Sequence, residues 1–203
     1  RPLPDPGGIR QSMTRRLILL AHCLLNGSAK LRGNDAPAVL EPLVLPLIRE
    51  GFGVIQLPCP ETTYLGLRRW GMTSEQYDTP PFRRHCRRIL EPLLDQVEDS
   101  LRESFRVAGV VGPEGSPSCG VGCTCGGFCG GEPAEGVPEA RRIPGPGVFM
   151  DQLRLCLEER GLFLPFAGVD EGNPEGCRPA ALSFAPLGAF SRPDGDGQGG
   201  FRS

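Results

Sequence analysis

Short runs of apolar residues recur along the chain, and longer stretches with apolar residues at helical spacing lie between them. The short runs predict four buried strands, over 17–22, 53–57, 106–111 and 162–167. The helical spacing predicts helices over 35–51, 80–104 and 147–161. Strands that alternate with helices of this length are typical of βαβ units. We therefore expect an α/β fold with a mostly parallel sheet of about four strands flanked by helices.

Prolines and capping residues refine the predicted helices. Asn34 and Asp35 are suited to cap the start of the helix over 35–51, and Pro42 and Pro46 should interrupt it. The long helix over 80–104 carries a clear apolar stripe, and Pro92 should bend it.

Length and composition indicate one domain. A chain of 203 residues, 39% of them hydrophobic, can build a single core of ordinary size. The polar ends predict a flexible arm over 1–14 and an irregular or disordered tail over 172–203, which leaves 15–171 as the folded domain. The glycine- and proline-rich segment 112–147 predicts a long functional loop, and the polar and aromatic segment 62–79 is a candidate substrate lid.

Charge and cysteine content narrow the class of protein. Lys and Arg (22) nearly balance Asp and Glu (24), which argues against binding of nucleic acid through bulk charge. Nine cysteines cannot all pair in disulfides, so we expect a reducing, cytoplasmic location. The segment 15–29 is similar to a signal peptide, but His22 directly before Cys23 is unsuited to a lipoprotein cleavage site, and a buried strand is favoured. No apolar stretch is long enough for a membrane span.

Three cysteines stand after three successive predicted strands. Cys23 follows the first strand, Cys59 the second, and Cys119 lies in the loop after the third. Because the carboxyl ends of parallel strands meet at one edge of a sheet, we expect these thiols to converge there. Cys86 and Cys156 fall within apolar helix stripes, which favours a role as small buried hydrophobic residues.

Three motifs around these cysteines resemble a known family. "LILLAHCLLNG", "QLPCPE" and "GPEGSPSCGVG" are similar to the A-C-L-L-G, C-P-E and S-P-S-C-G motifs of the thiouracil desulfurases, and the resemblance spans about 17–171. It implies a Rossmann-like domain in which Cys23, Cys59 and Cys119 hold a [4Fe-4S] cluster. It also implies a non-redox hydrolysis that removes sulfur from a thiolated uracil, nucleoside, nucleotide or related small thiocarbonyl compound and releases hydrogen sulfide.

The resemblance also assigns catalytic residues, and each has a simpler structural alternative. Glu61 is implied as the base that activates water, with a helix or loop cap as the alternative. Ser116 is implied to hydrogen-bond substrate or water, with a turn hydroxyl as the alternative. His22 and Asn26 stand where the family usually has Ala and Gly. We expect them beside the substrate, although His22 would equally suit the end of a strand.

Several alternatives remain open. Cys119, Cys123, Cys125 and Cys129 could organise a non-catalytic metal-binding or sulfur-carrier protein, and a cluster-dependent lyase acting on a sulfur-free substrate is a third possibility. The arginines of "RRHCRR" (83–88) are expected on the solvent side of the long helix, where they or Arg68 and Arg69 could bind a substrate phosphate. The expected partner is a small thiolated molecule, and the protein is expected to be a monomer or homodimer.

Overall fold

The computed structural model of the protein describes residues 15–33, 40–128, 130–131 and 140–173. The predicted arm, nearly all of the predicted tail, the Asn34/Asp35 cap and Cys129 lie outside the described residues.

The described chain has six strands: β1 (Arg16–Leu20), β2 (Phe52–Gln56), β3 (Arg106–Pro113), β4 (Cys123–Gly126), β5 (Arg141–Pro144) and β6 (Phe166–Val169). Four of them form one sheet in the order β2-β1-β3-β6, and every neighbouring pair is parallel. The predicted α/β class is therefore confirmed.

The centre of the sheet is apolar on both faces. Ile18, Leu19 and Leu20 of β1 are completely buried, as is Val110 of β3. A parallel strand covered on both faces needs a continuous apolar run rather than an alternating pattern, which is why this stretch of sequence forms the central strand.

Six α-helices accompany the strands: α1 (His22–Leu25), α2 (Leu45–Arg49), α3 (Pro60–Leu65), α4 (Ser74–Tyr77), α5 (Pro80–Arg102) and α6 (Val148–Glu159). A 3₁₀ turn (Gly27–Ala29) follows α1, and a π-helical turn (Leu40–Val44) leads into α2. Within the described part, the helix predicted over 35–51 therefore changes from π-helical to α-helical in the region of Pro42 and Pro46. No helix within the described ranges combines the length and apolar character needed to span a bilayer.

The long helix α5 begins where Thr79 accepts a hydrogen bond from the backbone N–H of Phe82 (3.4 Å), and Pro80 occupies its first turn. Both features are common at helix starts. The helix continues through Pro92 to Arg102, and its buried stripe, including Leu90 and Leu94, faces the core.

Two of the arginines expected to face solvent also join α5 to α6. Arg83 donates to Asp151 (2.7 Å) and Arg87 donates to Glu159 (2.8 Å). Their side chains remain 36% and 41% exposed, so these two residues lie on the partly exposed side of α5 and also pair with acidic groups on α6.

The fourth sheet strand begins later than predicted. Pairing of β6 with β3 starts at Phe166, and residues 162–165 precede the ladder. Pro165 has no N–H to donate, although its carbonyl accepts from Val110 (2.9 Å). The apolar run from 162 therefore contains four residues that precede the strand, followed by its first residues.

Secondary structure also occupies the candidate lid over 62–79 and the predicted loop over 112–147. The segment 62–79 contains most of α3 and all of α4. Within 112–147, β4 and β5 form an antiparallel hairpin. Glu114 secures the start of this hairpin by accepting the backbone N–H groups of Gly122 and Cys123 (3.0 and 2.8 Å).

Candidate functional site

The three strand-end cysteines lie at one edge of the sheet. Cys23 is in α1 directly after β1, Cys59 is the N-cap of α3 after β2, and Cys119 lies in the turn after β3. Strand order reverses at β1, which has β2 on one side and β3 on the other. In open α/β sheets this reversal creates a crevice beyond the carboxyl ends of the strands, where ligands usually bind.

The thiols are close enough to affect one another's protonation. Burial raises the pKa of Cys119 well above its ordinary value, and the neighbouring Cys23 and Cys59 raise it further. Burial likewise raises the pKa of Cys23 to about 12, with contributions from Glu171 and Cys59. The three thiols therefore lie within electrostatic range of one another at this edge of the sheet.

The sulfur of Cys59 is held at the start of α3. The backbone N–H and the hydroxyl of Thr62 both point at Cys59 Sγ, at 3.4 and 3.1 Å. Helix α3 therefore presents this thiol to the site and also orients it.

Glu61 is a buried carboxylate beside the thiols. It lies in the first turn of α3 and is only 7% exposed. Arg69 Nε donates to Glu61 Oε2 at 2.7 Å, and Ser118 Oγ donates to Oε1 at 2.6 Å. These two hydrogen bonds fix the orientation of the Glu61 carboxylate.

The two serines of the S-P-S-C motif have different contacts. Ser116 Oγ accepts the backbone N–H of Cys119 (3.0 Å), and the Ser116 carbonyl accepts from Gly120 (2.9 Å). Ser118 reaches Glu61 and also lies 3.6 Å from Cys119 Sγ. Ser116 thus shapes the turn that carries the thiol. Ser118, which sequence reasoning did not select, is the serine in contact with the carboxylate.

His22 lines a groove beside α5, and Asn26 lies next to His22. Gln56 Nε2 is 2.7 Å from His22 Nδ1, and Asn26 Nδ2 is 3.4 Å from His22 Nε2. The groove has a volume of about 330 Å³, and Ile89 and Gln96 of α5 contribute to its wall. Burial and the positive charge of Arg69 lower the pKa of His22. The side-chain hydrogen bonds of His22 are therefore with Asn26 and Gln56 rather than with the thiols.

A partly buried ion pair lies at the edge of the site, next to the end of β6. Lys30 Nζ lies 2.5 Å from Glu171 Oε1, and the side chains are 8% and 19% exposed. Both charges act on Cys23, since Glu171 raises its pKa and Lys30 lowers it. Lys30 belongs to no sequence motif that could have indicated this contact.

The hairpin cysteines have other neighbours. Burial raises the pKa of both thiols. A hydrogen bond to Glu114 raises the pKa of Cys123 further, and the charge of Glu75 raises that of Cys125 further. Cys123 and Cys125 occupy alternate positions of β4, and both are partly exposed. Cys119, by contrast, interacts with Cys23 and Cys59.

The arrangement of the potential metal ligands differs from that of a site for a single metal ion. In the part of the chain that the structure describes, no three His, Cys, Asp or Glu side chains could share one metal ion. Thiolates that hold an iron–sulfur cluster bind different iron atoms rather than a common one, so their sulfurs need not converge on one point.

Comparison with known proteins finds a relative that matches part of the chain. The chain is 38% identical over 81 residues to the uncharacterized protein MJ0003 of Methanocaldococcus jannaschii. The matched segment covers 39% of this chain and 52% of that protein. The chain thus spans about half the length of the curated relative it matches. No protein-family model and no solved structure matches the chain.

Proposed function

We propose that the protein is a [4Fe-4S]-dependent desulfidase related to the thiouracil desulfurases. Its proposed substrate is a small thiocarbonyl compound, such as a thiolated uracil, nucleoside or nucleotide. One observation carries the proposal: three thiols from three strand ends lie within electrostatic range of one another and of a buried carboxylate, Glu61.

The donor set is suited to such a cluster. The three ligands are all sulfur, which binds iron–sulfur clusters well. Burial makes the thiolates of Cys23 and Cys119 costly without a positive partner, so a bound cluster would stabilise the anionic form. Cys23, Cys59 and Cys119 would hold the cluster, which would supply Lewis-acid chemistry suited to polarising a carbon–sulfur double bond.

The reaction requires water but no electrons. Water adds its oxygen to the thiocarbonyl carbon, the carbon–sulfur bond breaks, and the products are the carbonyl compound and hydrogen sulfide. Both hydrogens of hydrogen sulfide come from that water. Neither oxidant nor reductant is consumed.

Glu61 is the residue placed to move the proton. Its carboxylate accepts a proton from the attacking water as the new carbon–oxygen bond forms, and returns it to the departing sulfur. Arg69 and Ser118 each hold one carboxylate oxygen, so they orient Glu61 toward the thiols. Burial keeps bulk water from competing for these contacts.

Substitution of single cysteines tests the proposal. After anaerobic reconstitution with iron and sulfide, Cys23→Ser, Cys59→Ser and Cys119→Ser should each lose bound iron and sulfide release from 2-thiouracil or 4-thiouridine. Cys86→Ser and Cys156→Ser serve as controls, because both thiols are buried in helices, and they should retain the iron content of the wild type.

The same experiment separates the rival functions. Iron binding that survives Cys23→Ser but is lost in Cys123→Ser and Cys125→Ser would replace the proposal with a metal-binding or sulfur-carrier protein organised by the hairpin. An intact cluster that releases no sulfide from any thiolated base or nucleoside would instead favour a lyase.

A further inference from the structure

The motif "RRHCRR" places a histidine on the buried side of α5. His85 is only 6% exposed, and its ring packs against Tyr64, with 5.1 Å between the ring centroids. His85 Nδ1 lies 3.0 Å from Arg88 Nη2, and His85 Nε2 lies 2.8 Å from Thr63 Oγ1. Each ring nitrogen therefore has a polar side-chain partner.

These partners determine which ring nitrogen of His85 carries the hydrogen. A guanidinium group can only donate hydrogen bonds, so Nδ1 accepts from Arg88 and the hydrogen of the neutral ring is on Nε2. Burial, followed by the charge of Arg88, lowers the pKa of His85, and a hydrogen bond with the Pro60 backbone acts in the opposite direction. The net lowering keeps the ring neutral at pH 7. His85 Nε2 therefore donates to Thr63 Oγ1.

Thr63 connects His85 to Cys59. Because the Thr63 hydroxyl accepts from His85, its own single hydrogen is left to donate to a backbone carbonyl. The Cys59 carbonyl is the nearer acceptor at 2.7 Å, and the Pro60 carbonyl lies at 3.3 Å. The backbone N–H of Thr63 also donates to the Cys59 carbonyl, at 3.1 Å. A chain of hydrogen bonds thus runs from α5 to the residue that caps α3.

Cys59 is held at two points by neighbouring threonines. The backbone N–H and the hydroxyl of Thr62 point at its sulfur, and the same two groups of Thr63 point at its carbonyl. A side chain that is already ordered loses little conformational entropy when it binds a ligand. The arrangement therefore prepares the Cys59 thiol for metal binding before any metal arrives.

We propose that His85 is a positioning residue for the cluster ligand Cys59 and that it acts from α5 through the hydroxyl of Thr63. This inference rests on the proposed function, because it takes Cys59 to be a cluster ligand. Groups that orient a metal ligand without touching the metal typically change metal affinity or activity by about 10- to 100-fold when they are replaced. The imidazole of His85 therefore contributes to iron retention although it acts through another side chain.

Three substitutions at His85 separate its hydrogen bonds from its packing. His85→Phe keeps an aromatic ring beside Tyr64 but removes both hydrogen bonds. His85→Gln can place an amide N–H close to the position of Nε2, whereas the shorter side chain of His85→Asn cannot. After anaerobic reconstitution with iron and sulfide, the concentration of a ferrous-iron chelator that removes half of the iron should fall about tenfold in the Phe and Asn variants. The Gln variant should remain close to the wild type.

Thr63→Val tests the second link of the chain. It removes the hydroxyl and nearly preserves the shape of the side chain, so it should lower the chelator midpoint by a similar factor. Combination with His85→Phe should cause little further loss, because both changes break the same chain. The matched control is Ser100→Ala, since the Ser100 hydroxyl likewise donates to the carbonyl four residues earlier, that of Gln96 (2.7 Å). It should leave the chelator midpoint unchanged.

Urea unfolding of the iron-free proteins distinguishes positioning from general stability. The chelator midpoints are compared only among variants whose iron-free form is folded by circular dichroism. A merely structural role for His85 would lower the urea midpoint and leave the chelator midpoint of the folded protein unchanged. If His85→Phe does not fold, Thr63→Val decides the question, because it alters only one hydroxyl group.

Each outcome decides a separate question. An unchanged chelator midpoint in folded His85→Phe and Thr63→Val overturns the positioning role and leaves desulfidation standing. Equal losses in His85→Gln and His85→Phe also overturn it, because the donor at Nε2 would then not matter. Lowered midpoints in His85→Phe and Thr63→Val, without sulfide release from any thiolated base by the wild type, support the positioning role and overturn desulfidation. If the wild-type protein binds no iron, both proposals fail.

Discussion

The buried ion pair between Glu61 and Arg69 should contribute strongly to stability, and a double-mutant cycle measures that contribution. The variants are Glu61→Gln, Arg69→Met and the double substitution. Each single change leaves one buried charge without its partner, whereas the double change removes both charges. The free energy of unfolding should therefore fall by less in the double variant than the sum of the single losses.

The structure sets the size of the effect. The charged atoms lie 2.7 Å apart, and the side chains are 4% and 10% exposed. In an effective dielectric constant of about 20, their attraction is about 6 kcal/mol before desolvation is subtracted. Loss of one partner from a buried pair typically costs about 3–5 kcal/mol. We expect losses in this range for each single variant and a coupling energy of about 2 kcal/mol or more.

Urea denaturation of the four proteins at matched iron content gives these free energies. Glu98 and Arg102 on α5 provide a control cycle, because their charged atoms are 3.4 Å apart and the Arg102 side chain is 68% exposed. Exposed pairs one helical turn apart couple by about 0.3–0.5 kcal/mol. A coupling energy for Glu61 and Arg69 no larger than that of this control would refute the reasoning.

Two further predictions concern the loop of Cys119 and the acid sensitivity of the fold. Gly112→Ala would place a Cβ 2.5 Å from Met150 Cε and 2.6 Å from the Cys119 carbonyl, so it should displace the thiol and lower the iron bound after reconstitution. Gly71→Ala, whose Cβ would make an ordinary 3.6 Å contact, should not, and full iron binding by Gly112→Ala would contradict the prediction. Hydrogen bonds from Arg83 lower the pKa of Asp78, so the pair stabilises the fold above the ordinary Asp pKa and loses this effect as pH falls below it. Asp78→Asn should therefore lower the urea midpoint at pH 7 but not at pH 2, and a difference that persisted at low pH would count against this interpretation.

The sequence predicted the sheet because its signals are local. The apolar run of β1 and the stripe of α6 are each contained within a single stretch of chain, so burial can be read from periodicity. The thiols were predicted for a related reason, since their positions after successive strands determine the edge at which they lie. Boundaries shifted by a few residues where a proline or a tight turn intervened, as at Pro165.

The remainder of the site depends on contacts between distant residues. Ser118 meets Glu61 across 57 positions in the chain, and no spacing rule distinguishes it from Ser116 in the same motif. Arg69 follows Arg68 in sequence, yet only Arg69 turns inward. The hairpin was missed because β4 is short and consists of cysteine, threonine and glycine, which lack the alternating apolar pattern of a strand.

The contact between Lys30 and Glu171 joins residues 141 positions apart. During synthesis, the segment that carries Cys23 is therefore complete long before the segment that neutralises Lys30 exists. Contacts of such long range form late in folding, because a large loop must close first. Assembly of the proposed cluster should accordingly follow synthesis of the segment that carries Glu171, and nascent chains halted before β6 should not retain iron.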